Sequence, residues 1–312
     1  MPPQPVKSAA ARQERTSPKI FRSNLTPVEY RYKSMRLATT KKRLKAKGQR
    51  LKSASRPAAL SFFYFLLAFS IQPLALPADA RQMAFARAER AFLQTQAAFH
   101  KNPQVPQRAC AFALACFDLA DLETSNARRA ETAEQGIAAA RTAIAKEPKL
   151  AAAHYYLAMN LGELARTKKL GALRLLGEME SEFKAVIALD PKIDYAGPHR
   201  SLGMLYRDAP GWPTSIGNRS NARIHLRKAV ELSPDYPDNW LGLLEAYIKW
   251  GDKSALQSQL APAEEALQRA RKTLTGEKWE LSWQDWDREW QKIKEKAAEG
   301  SGSLQSPRQK NQ

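Results

Sequence analysis

The sequence predicts an all-α fold: a solenoid of antiparallel helix pairs, opened by an amphipathic N-terminal helix and closed by a capping C-terminal one. Three observations carry this expectation. From about residue 82, amphipathic helical stretches alternate with Pro- or Gly-containing breaks, and no run of β-branched residues at period two calls for a strand. Four stretches share one pattern: Ala109/Phe112/Cys116, His154/Leu157/Leu161, His199/Leu202/Tyr206 and Trp240/Leu243/Tyr247. Offsets of three and seven put each trio on one helix face, and the trios recur at intervals of 45, 45 and 41 residues. Finally, the partner helices close on proline, which cannot continue a helix: Ala-Ile-Ala-Lys-Glu-Pro148, Val-Ile-Ala-Leu-Asp-Pro191 and Ala-Val-Glu-Leu-Ser-Pro234.

In chain order, residues 1–58 read as a basic, disordered leader. They hold 16 of the 50 Lys and Arg but two of the 31 Asp and Glu, a net charge of +14 out of +19. With no apolar periodicity they cannot bury a core. Residues 59–80 follow with Leu60-Ser-Phe-Phe-Tyr-Phe-Leu-Leu-Ala-Phe-Ser-Ile71, twelve residues without a charge, then Ala78-Asp79-Ala80. A basic stretch, a short apolar stretch and an A-x-A site form a secretory signal peptide, so the chain is expected in the periplasm or secreted. The apolar run is shorter than the ~20 residues of a membrane span. The alternatives are an uncleaved inner-membrane signal anchor and an organellar transit peptide, and Met35 offers an internal start. The remainder is nearly balanced at +5, so the basicity does not mark the body as a nucleic-acid binder.

Residues 81–298 make the predicted repeat domain. It opens on a helix over 83–100 and closes on one capped by Ser282, with Asp285 three residues on, close to a capping box. Trp283, Trp286, Trp290 and Ile293 form a stripe suited to covering the last repeat, or else to docking a partner. Residues 299–312 read as a disordered tail.

The repeat units resemble the tetratricopeptide repeat (TPR). The third carries Leu202-Gly203, Tyr206, Ala222, Leu226, Ala229 and Pro234; the fourth carries Trp240, Leu243 and Tyr247 before a Gly251-Asp252 turn. Small residues are needed where two helices cross closely. A tetratricopeptide unit has about 34 residues, so the excess here is expected in the loop inside each pair, such as Arg207-Asp-Ala-Pro-Gly-Trp-Pro-Thr-Ser-Ile-Gly-Asn-Arg219. Segment 197–252 is similar to exported bacterial tetratricopeptide proteins, among them those like the T component of TRAP transporters. No lipoprotein cysteine lies near residue 80.

No P-loop, G-x-G-x-x-G, H-E-x-x-H or G-x-S-x-G motif marks an enzyme, and no cofactor is expected. Cys110 and Cys116, six residues apart on one helix, stand too far apart to bond and are expected to stay reduced. The resemblance places binding in a concave groove lined by Tyr155, Met159, Arg200, Met204, Arg207 and Glu245, with Cys110, Leu114, Phe117, Gly162, Leu241 and Ile248 beside them. Arg200 and Arg207, two turns apart, could hold an acidic group, so Arg200→Glu is expected to weaken binding without lowering the melting temperature. Alternatively the methionines pack between repeats and the arginines are solvated. The Lys/Asn carboxylate-clamp pattern is missing. Trp212, set among Pro210, Gly211 and Pro213, either binds or braces the wide repeat, and bracing is favoured.

Together these readings imply a non-catalytic, protein- or peptide-binding scaffold of the bacterial periplasm. The alternative is a small-ligand accessory, for a small acidic ligand, of a TRAP-type system. No nucleic-acid partner is expected, and membrane contact arises only through an uncleaved anchor.

Overall fold

The computed structural model describes residues 79–168 and 171–302. The predicted leader, all but the last two residues of 59–80, and residues 303–312 lie outside that range. Among the described residues there are ten α-helices and no strand. Helix α1 (Ala80–Lys101) precedes four pairs: α2 (Pro106–Leu122) with α3 (Asn126–Lys146), α4 (Ala151–Thr167) with α5 (Ala172–Leu189), α6 (Ile193–Asp208) with α7 (Arg219–Leu232), and α8 (Pro237–Trp250) with α9 (Lys253–Thr273). The last helix is α10 (Glu277–Gly302).

Local chemistry sets the boundaries. Proline stands at the first turn of α2 and α8, where its missing N–H costs nothing. Ser125, Asn218 and Asp252 cap α3, α7 and α9 by accepting a backbone N–H three residues on. Helix α8 stops at Gly251, whose φ of 66° is left-handed.

All four predicted trios fall on the first helices α2, α4, α6 and α8, and every member except the half-buried His154 is buried. These first helices approach one another in sequence, α2 to α4 to α6 to α8, whereas the backbones of the second helices approach only their chain neighbours, α3 and α5 being joined by the side chains of Arg141 and Glu178 at 2.6 Å. One row is therefore inner and continuous and the other outer and splayed, which is how a stack of helix pairs curves. At the α6–α7 crossing a Cβ on Gly203 would lie 2.8 Å from Leu226 Cγ, so only glycine lets these helices approach.

The structure corrects several expectations. The extra repeat length lies in a long internal loop only in the third pair. In the first pair α2 and α3 run to 17 and 21 residues with three residues between them. In α6 the extra length is a left-handed turn, Asp194, Tyr195 and Ala196, with φ of 50°, 55° and 63°. Helix α10 starts at Glu277, so Ser282 is not its cap but a buried residue of its second turn. Trp212 braces nothing: it is 89% exposed.

Candidate functional site: the concave face and the Trp212 loop

Helix α10 decides the state of the inner face. Its N-terminal end meets α1 through Arg87 Nη2, which donates to Glu277 Oε1 at 3.1 Å, and near its C-terminal end Gln257 of α9 donates to the Ala297 carbonyl at 3.1 Å. Between these ends it packs along α8. Trp279, Trp286, Trp290, Ile293 and Ala297 are buried in a core shared with Met204, Tyr236, Leu241 and Leu244. Trp286 Nε1 donates to Asp238 Oδ1 at 2.7 Å, and its ring meets Tyr236 edge-on at 5.8 Å. The tryptophan stripe thus covers the last pair, as one reading of the sequence holds, and the helix that carries it also reaches back to α1.

Of the predicted groove residues, Tyr155, Met159, Arg200, Met204 and Arg207 are buried, and Glu245 is partly buried. Arg200 is fully buried: Nη2 donates to Asp194 Oδ2 at 2.9 Å and Nη1 to Asn239 Oδ1 at 3.0 Å, and the guanidinium lies 4.9 Å above the Tyr236 ring. Tyr155 is buried and donates its hydroxyl to the same Asp194 oxygen at 2.7 Å. Asn239 Nδ2 holds the Tyr195 carbonyl at 3.0 Å. The cluster braces the left-handed turn of α6, where each non-glycine residue costs roughly 1–2 kcal/mol. Burial pushes the Asp194 carboxyl up to about 6 against the pull of Arg200 and Tyr155.

Arg207 donates to Glu245 Oε2 and the Gly242 carbonyl, both at 3.2 Å, and pairs with Asp208 at 2.8 Å. Glu289 of α10 completes this group, its carboxyl pushed up by burial and then by Glu245. Met159 and Met204 are buried and pack between repeats. The expectation of free groove cations is thus overturned for both arginines, which are neither available nor solvated. Arg200→Glu would place a carboxylate beside Asp194, so it unfolds the chain rather than probing a surface.

The Trp212 loop is built differently. Gly217 N donates to the Pro210 carbonyl at 2.8 Å, Thr214 N to the Gly211 carbonyl at 3.0 Å, and Asn218 N to the Tyr206 carbonyl at 2.9 Å. A Cβ on Gly217 would stand 2.1 Å from the Ala209 carbonyl oxygen, so no other residue closes the loop this way. The closed loop holds Trp212 out and leads directly into α7. There Arg219 and Arg223 lie 5.2 and 5.4 Å from the Trp250 ring centre, and Arg227 Nε donates to the Tyr247 hydroxyl at 3.1 Å. Sequence reasoning passed over this arginine row, although its i, i+4, i+8 spacing is plain.

Elsewhere, His199 Nδ1 and His225 Nδ1 are 3.0 Å apart across the α6–α7 pair. His154, at the position in its repeat equivalent to His199, instead sets Nδ1 2.6 Å from Glu182 Oε2. Cys110 and Cys116 are free, buried thiols, and burial pushes that of Cys110 up to about 12. A cavity of about 100 Å³ lies between α1, α2 and α10, with Phe117, Asp118, Asp121 and Lys278 in its wall. Among the described residues, no three His, Cys, Asp or Glu side chains come together to hold a metal, and no helix is long and apolar enough to cross a membrane.

No protein-family model and no curated protein matches the sequence. Among solved structures, a thermophilic TPR protein of Thermus thermophilus is similar, at 21% identity and a TM-score of 0.48, over 68% of this chain and 93% of that one. The chain's own helix order, its continuous inner row and its splayed outer row make it an all-helical, tetratricopeptide-like solenoid.

Proposed function

We propose that this chain is a non-catalytic protein-interaction scaffold, exported to the periplasm, that engages its partner through the Trp212 loop. The observation that carries the reading is an indole left 89% exposed on a loop fixed by its own backbone bonds. Tryptophan is prominent among residues that dominate binding energy, and a loop already ordered loses little freedom on binding. The concave face is the weaker candidate because α10 is tethered there, at an effective concentration that a free peptide must exceed. Export is supported by the basic, then apolar, then A-x-A pattern of residues 1–80.

A second reading, a small-ligand accessory of a TRAP-type system, calls for a ligand-sized pocket closed by the Trp212 loop; that loop contributes no residue to the wall of the cavity between α1, α2 and α10, so this reading is the weaker. Cross-linking in cells followed by affinity capture, wild type against Trp212→Ala, tests the first reading. The variant should keep its melting temperature and lose the captured species. Equal capture by both proteins would remove the reading.

A further inference from the structure

We propose that Trp212 and the arginine row of α7 form one docking surface for an acidic segment of a partner protein, an inference that rests on the scaffold reading above. Arg219, Arg223 and Arg227 stand at four-residue intervals on α7, so they share a face with about 6 Å between neighbours. Carboxylates alternating along an extended strand, or four apart on a helix, repeat at nearly the same interval.

The row is preorganised. Arg219 and Arg223 stack on Trp250, Arg223 also lies 5.9 Å from the Tyr247 ring centre, and Arg227 bonds the Tyr247 hydroxyl. Stacking fixes a guanidinium's plane while leaving its N–H edge free for a bidentate carboxylate. Arg223 is already paired with Asp252 at 2.8 Å. Among the described residues Arg219 and Arg227 have no carboxylate partner, and both are exposed. The one acid of α7, Glu231, is bonded by Lys228 at 2.5 Å, so the face presents net positive charge.

Apolar anchors adjoin the charge. Ile224, on the same helix, is 62% exposed, and Trp212 sits beside Gly211, which is bridged to Gly217 two residues before Arg219. A phosphate backbone has no use for an isoleucine, whereas an acidic peptide with an apolar residue satisfies both features.

The probe is a fluorescein-labelled peptide of about 12 residues alternating Glu with Leu and Ser, its binding to the full chain read by fluorescence anisotropy at low salt. The basic residues of 1–58 add the same background to every variant. Arg219→Ser with Arg227→Ser should weaken binding about tenfold and flatten its salt dependence, while Arg219→Lys with Arg227→Lys should restore part of it. Circular dichroism confirms that each variant is folded. An unchanged dissociation constant in the double Ser variant overturns the inference. So does a loss confined to duplex DNA or to phosphatidylglycerol vesicles, which would reassign the surface to nucleic acid or membrane. If Trp212→Ala abolishes partner capture while the arginine variants bind the peptide normally, the acidic-segment inference falls and the scaffold reading stands.

Discussion

Arg200 shows how spacing and environment carry different information about one residue. Its position on the inner helix follows from the offsets of the repeat, and the structure places it on that helix. Its surroundings are set by residues distant in sequence: Asn239 from α8, Tyr236 before it, and the left-handed turn at Asp194. Removing one member of a buried ion pair leaves the other charge uncompensated, typically at about 3–5 kcal/mol. Arg200→Ala should therefore lower the urea-unfolding free energy by about that much, and Asp194→Asn, which leaves the buried Arg200 cation without a carboxylate, by at least as much. Equal, small losses in both variants would mean that the pair does not hold the turn. Trp212 is the reverse case. Its loop composition correctly suggests a fixed shape, but nothing local says whether the indole turns inward or outward.

At the scale of elements, the α6–α7 pair carries a pH dependence. Burial lowers the His199 imidazole to about 4, His225 and Lys228 adding to the effect, and burial with Lys184 of α5 lowers His225. Tyr206, whose hydroxyl bonds Glu180, faces His225, and Glu231 opposes the trend at His199. A base depressed in the folded state contributes stability that is whole above the unfolded value of 6.5 and is lost as pH falls towards 4. Asp194 and Glu289, both raised, act in the opposite sense, so the imidazole contribution is isolated by comparison with a variant. Between pH 7.5 and 5, wild type should lose more unfolding free energy than His225→Gln, measured by urea titration. Parallel curves would show that the pair does not titrate with folding.

Helix α10 belongs to the same scale. Its stripe is legible as amphipathic, and Ile293 and three of the four tryptophans, Trp279, Trp286 and Trp290, are buried. What the stripe covers is not legible, because the three-residue connection after α9 permits either a simple stack or a return across the inner face.

For the whole molecule, the charge is the quantity that changes meaning. Most of the +19 belongs to residues 1–58, outside the described solenoid. If the A-x-A site is used, the exported chain should begin at Arg81 and carry +6. N-terminal sequencing of protein recovered from the periplasmic fraction checks this, and an intact residue 1 there would favour the anchor instead. The row at Arg219, Arg223 and Arg227 then becomes a larger share of a mildly basic surface.

The sequence by itself determined the all-helical class, the four pairs and their first helices, because apolar period and proline stops act within a few residues of one another. It also determined that Cys110 and Cys116 stay apart, since helix geometry alone separates them. Only the tertiary structure decided that the groove arginines are buried, that α10 runs from α8 and α9 back to α1, and that Trp212 stands in solvent on the loop that leads into an arginine row. Those outcomes depend on which surfaces meet across tens to hundreds of residues of chain, such as Arg87 with Glu277, and local periodicity carries no term for that.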